Sequence, residues 1–153
     1  MIYKISLVIS GDNLVPEKVI EGTSKDFIVV SYNSPTDRKF ADKEDLYGYG
    51  VITFWHTKKF ATRENIHTFE GEYVAFIENN FSLFTLNGAT DFELYMEVYY
   101  DGGQCNFEIF DKDLVARLAK FRISIPVSVY VLSDLELNKW MKEIELTWSA
   151  SLD

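Results

Sequence analysis

Thr68-Phe69-Glu70-Gly71-Glu72-Tyr73-Val74-Ala75-Phe76-Ile77-Glu78-Asn79-Asn80-Phe81-Ser82-Leu83-Phe84-Thr85-Leu86 is the longest strongly periodic stretch of the sequence. Phe69, Tyr73, Phe76, Ile77 and Phe84 recur at helical spacing, with Leu83 beside them, and predict a helix with a broad apolar face. Thr68 is placed to cap its start, and Asn87-Gly88 to close its end in a left-handed turn. The rest of the domain is expected to pack on this face. Glu70 and Glu72 are expected in its first turn, where the helix dipole favours carboxylates, which makes them weak markers of function.

Downstream, residues 92–100 alternate strictly. Phe92, Leu94, Met96, Val98 and Tyr100 face one way, and Glu93, Tyr95, Glu97 and Tyr99 the other, as in a half-buried strand. Gly102-Gly103 can supply the positive φ of a tight turn, so residues 105–110 are expected to return as the second strand of a hairpin. That register pairs Tyr100 with Cys105, Val98 with Phe107, Met96 with Ile109 and Glu97 with Glu108. Asp111 can cap a helix over 112–120, and residues 122–131 read as a final strand with Ile123, Ile125, Val127, Val129 and Val131 inward. Pro126 in that strand lacks a ladder donor and favours a sheet edge or a bulge. The tail, 134–148, suits a helix, although residues 144–148 could also be a strand.

Upstream, residues 2–10 read as a strand, 16–21 as a short helix opened by Pro16, and 27–32 and 50–56 as strands. Between the last two lies a charged, solvated loop, 33–49, whose charges nearly cancel. The order is β-α-β-β-α-β-β-α-β plus a tail. It predicts an α+β fold, a mostly antiparallel sheet with helices on one face. At 153 residues, one domain is expected over 1–153, with a possible extension at 133–153.

Composition excludes several classes. A net charge of −9 disfavours nucleic acid as the main partner, because phosphate contacts need a basic surface. No apolar run approaches membrane-spanning length, and no signal-peptide pattern opens the chain. Cys105 is the only cysteine, which fits a reducing cytoplasm. Aromatic residues reach 16%, read mainly as a Phe-rich core with Tyr at its rim. The charge is uneven: residues 61–100 hold Glu64, Glu70, Glu72, Glu78, Asp91, Glu93 and Glu97 against Arg63 alone.

Ile9-Ser10-Gly11-Asp12-Asn13-Leu14-Val15-Pro16-Glu17 resembles the opening of a family of small bacterial domains of unknown function. Leu114-Val115-Ala116-Arg117-Leu118-Ala119-Lys120-Phe121, followed by Ile123-Ser124-Ile125-Pro126-Val127-Ser128-Val129-Tyr130, is similar to that family's closing helix and strand. The resemblance implies no reaction and no catalytic residue. In character the chain is also similar to bacterial toxin-immunity proteins, which are small, acidic, cysteine-poor and act by binding.

Chemistry-bearing motifs are sparse. His56, His67 and Cys105 lack the spacing of a metal site, and Gly102-Gly103 lacks the context of a phosphate loop, so no cofactor or metal is expected. The hairpin carries the sharper signal. Glu97 opposite Glu108 places like charges together with no local base, at a cost of up to about 1 kcal/mol. Glu93, Tyr95, Glu97, Tyr99 and Glu108 would form an acidic, tyrosine-lined face. Three readings follow. One is a solvated sheet face, capped by the tail with Lys139 and Lys142. Another is a binding face for a basic protein, as in an immunity protein that occludes a cationic toxin domain, possibly a nuclease. The last is a catalytic carboxylate pair in a small cytosolic enzyme, which would need a cleft. The acidic start of the long helix is an alternative binding surface. A structural homodimer through the edge of the final strand is a further class.

Overall fold

The first strand, Ile2–Gly11 (β1), is the middle of the sheet. The computed structural model describes residues 1–23 and 26–149, with side chains to residue 144. Along the chain follow α1 (Pro16–Gly22), β2 (Phe27–Asn33), β3 (Gly50–His56), β4 (Phe60–Thr62), α2 (Ile66–Leu86), β5 (Asp91–Tyr100), α3 (Lys112–Leu118), β6 (Val127–Val131) and α4 (Asp134–Ser149). The strands form one sheet in the order β2-β3-β1-β5-β6, and β4 pairs with the start of β1. All pairings are antiparallel except β5 with β6. The fold is α+β with a mostly antiparallel sheet, as the order of elements predicts.

The long helix organises the core as its periodicity implies. Phe69, Tyr73, Phe76, Ile77 and Phe84 are buried with Ile5, Leu7, Ile9, Ile52, Phe54, Leu94 and Met96. At the end of the β1–β3 ladder the Tyr73 hydroxyl donates to Ile5 O and accepts from His56 N–H. Extending the Leu7–Phe54 register brings Ile5 opposite His56, so this hydroxyl occupies the next rung. The helix starts at Ile66, two residues before the expected Thr68, because the apolar stripe already begins with buried Ile66. Its other end closes as expected. Gly88 has φ +93°, and it presses so closely on the β1–α1 turn that a Cβ would lie 2.2 Å from Asn13 O.

The expected hairpin does not form, and residues 105–110 are not a strand. Both edges of β5 are taken, by β1 over Asp91–Tyr99 and by β6 over Met96–Tyr100. Residues 105–110 instead pack as irregular chain against the core. Phe110 is buried, Phe107 and Ile109 are partly buried, and the Phe107 ring meets Tyr3. Tyr100–Cys105, Val98–Phe107, Met96–Ile109 and Glu97–Glu108 are therefore not paired; Val98 pairs with Tyr3 and Met96 with Ile5. The final strand is also shorter than expected. Ile123 and Ile125 pack on the core, whereas Val127, Val129 and Val131 lie at the sheet edge and stay exposed.

Helices α1 and α3 lie against α2 on one face of the sheet. The tail resolves as helix α4, and residues 150–153 of the expected extension lie outside the described residues. Trp140 of α4 meets Phe60 and Tyr99, so this helix reaches over the opposite face at one end.

Candidate functional site

The face of the sheet away from α2 is the strongest candidate. Strand alternation sends Lys4, Ser6, Val8, Thr53, Trp55, Glu93, Tyr95, Glu97 and Tyr99 to this side while their neighbours enter the core. Four of the five sequence-predicted residues therefore share one surface: Glu93, Tyr95, Glu97 and Tyr99. Glu108 does not join them. It is exposed in the segment after β5, two residues before Phe110, whose N–H binds Glu70 of α2.

A connected row crosses the face. Lys4 Nζ lies 4.5 Å from the centre of the Trp55 ring and 2.6 Å from Glu97 Oε2. Glu97 Oε1 accepts from the Tyr99 hydroxyl at 3.0 Å. The Tyr99 ring stacks on Tyr130 at 5.1 Å and meets Trp140 at the same distance. The Tyr95 and Ser128 hydroxyls share a hydrogen bond of 2.8 Å. Burial, aided by the bond to Glu97, pushes the Tyr99 hydroxyl well above its ordinary value. The base that sequence could not supply to Glu97 is Lys4, brought opposite by the β1–β5 register. Glu97 is thus neutralised and does not stand as half of a carboxylate pair. Towards the other end of β5, Asp91 and Glu93 are exposed and form no ion pair among the described residues.

The alternative surface, the acidic start of α2, is largely spent in the fold. Glu70 is fully buried, and its Oε1 accepts from Phe110 N–H at 2.9 Å. Its Oε2 is buried without a hydrogen-bond partner, and burial raises its pKa. Glu72 pairs with Lys58 at 3.2 Å, and Glu78 holds Arg117 through two hydrogen bonds. Two of the three α2 carboxylates, Glu72 and Glu78, are thus answered by bases from other elements.

A groove of about 740 Å³ opens between α2 and the ends of α1 and β3, lined by Phe27, His56, Lys58, Glu72, Phe76 and Asn79 among others. His56 Nδ1 accepts from Lys58 N–H at 3.0 Å, so the neutral ring carries its proton on Nε2. Nε2 faces Glu72 Oε2 at 3.3 Å, within ion-pair reach but without hydrogen-bond geometry. Burial lowers the His56 pKa, against the pull of Glu72. With Nδ1 engaged and Nε2–H turned to Glu72, the ring presents no free lone pair to a substrate. Sequence reasoning placed His56 at a strand end but gave no sign of this groove, which depends on the helix crossing the sheet.

Among the described residues no three His, Cys, Asp or Glu side chains gather as metal ligands would, and no helix is long and apolar enough to cross a membrane. Cys105 is a free, half-buried thiol. No family model, curated protein or solved structure matches the chain.

Proposed function

We propose that the chain is a non-catalytic binding domain for a basic protein, acting as an immunity protein acts when it covers a cationic toxin domain in the cytoplasm. The observation that carries this reading is the outer sheet face. Trp55, Tyr95, Tyr99 and Tyr130 give it broad, rigid aromatic area, and Asp91 and Glu93 give it unneutralised charge at one end. Tyr and Trp are the residues that interfaces favour, since they bury much area at low entropic cost. The net charge of −9 speeds encounter with a cationic partner. His56 Nδ1, held by Lys58 N–H, and the Lys4–Glu97 pair argue against general base chemistry at these two places.

The test is to isolate basic proteins that copurify with the chain from its native lysate and to express each with and without it. A partner that arrests growth alone and is silenced by the chain supports the reading. Basic partners whose effect on growth the chain leaves unchanged would refute the immunity role.

A further inference from the structure

The free edge of β6 carries the inference. Among the described residues, β6 ends the sheet and pairs only with β5. Leu94 N–H donates to Ser124 O at 2.9 Å, Met96 N–H to Pro126 O at 2.9 Å, and Leu132 N–H to Tyr100 O at 2.8 Å. Residues 124, 126 and 132 thus turn their backbone groups towards β5. By strand alternation Val127, Val129 and Val131 turn both N–H and C=O outward. No hydrogen bond reaches those groups among the described residues.

Natural sheets guard such edges with charge, proline or bulges. This edge has none of these protections. Residues 123–133 carry no charge at all. Pro126 faces its missing donor towards β5, so it does not block the outer side. Val127, Val129 and Val131 are 42%, 50% and 66% exposed. The opposite sheet edge differs, because β2 is interrupted by an irregularity between Val29 and Ser31.

We propose that two copies of the chain pair edge to edge through β6, antiparallel about a two-fold axis at Val129. Val129 then meets its own counterpart, and Val127 meets Val131 of the second copy. All three positions have outward-facing backbone groups, so every one is a hydrogen-bonded pair. The valines of both copies cover one another on the α2 side. Ser128 stands opposite the second copy's Tyr130 on the outer side. A second copy fits better than a charged foreign strand, since this edge offers no charge to recognise. In a chain of net charge −9 it is also where two copies can approach without direct repulsion. The pairing is independent of the basic partner proposed above.

Sedimentation equilibrium of the whole chain, from micromolar to near-millimolar concentration at low and high salt, tests it. The mass should rise from one copy towards two, and at lower concentration in high salt, where the mutual repulsion is screened. Val129→Pro removes an outward N–H without touching the β5 ladder, and Val129→Lys places two charges on the axis. Each should weaken association at least about tenfold while circular dichroism stays unchanged. If the proline variant misfolds, the lysine variant decides. A wild-type mass of one copy throughout at high salt, or a doubled mass that survives Val129→Lys, overturns the proposal.

Discussion

Lys4 Nζ closes on Glu97 Oε2 at 2.6 Å, linking the middle strand to its neighbour on the open face. Both side chains are less than a fifth exposed, so water screens the pair only partly. Lys4→Met should cost about 1–2 kcal/mol of stability, because it leaves Glu97 charged and half-buried. Adding Glu97→Gln should return part of that loss. Urea denaturation of the two single variants and the double variant measures the coupling.

Tyr73→Phe keeps the ring but removes the hydroxyl that bridges Ile5 O and His56 N–H. Two buried backbone groups would lose their partner, at about 1–3 kcal/mol. The same change should speed hydrogen exchange at the His56 amide more than at Phe54, which keeps its ladder partner Leu7.

Glu70 makes stability depend on pH. Burial raises its folded pKa above the ordinary value of 4.5, against the opposing pull of the Phe110 N–H bond and His67. The folded carboxyl holds its proton more tightly than the unfolded one. Its contribution is therefore complete below the unfolded value and is lost as pH rises through the folded one. Glu70→Gln keeps an acceptor for Phe110 N–H without the charge. It should match or exceed wild-type stability at neutral pH, by up to about 1 kcal/mol, with the gap closing towards pH 4. Denaturation curves across that range check the sign.

Two glycines separate strain from collision. Gly103 has φ +81° and open space around its Cβ position, so Gly103→Ala should cost only about 1 kcal/mol. Gly88 has φ +93° and would drive a Cβ into Asn13 O, so Gly88→Ala should cost more than about 2 kcal/mol. Melting temperatures of the two variants rank them.

What could be read from sequence was local. The Phe69–Phe84 stripe, the alternation of β5, the Asp111 side chain that accepts from Asp113 and Leu114 N–H, and the left-handed Gly88 all depend on near neighbours. The failed hairpin shows the limit. Cys105, Phe107 and Ile109 alternate as a strand would, yet an irregular segment pressed on a core has the same pattern. Whether residues 105–110 could pair with β5 depended on β1 and β6 competing for its edges, which no local pattern encodes. The same distance hid Lys4 from Glu97 and left β4, three residues long, without a period to detect.

The face assignment separates two acids that sequence grouped together. Glu93 lies on the open sheet face, and Glu108 lies two residues before Phe110, whose N–H binds Glu70 of α2. The most direct measurement is the affinity of the copurifying basic protein for the wild type, Glu93→Lys and Glu108→Lys at one fixed salt concentration. The account predicts that Glu93→Lys weakens binding at least about tenfold and that Glu108→Lys leaves it within about twofold. Strong weakening by Glu108→Lys with no effect of Glu93→Lys would contradict it.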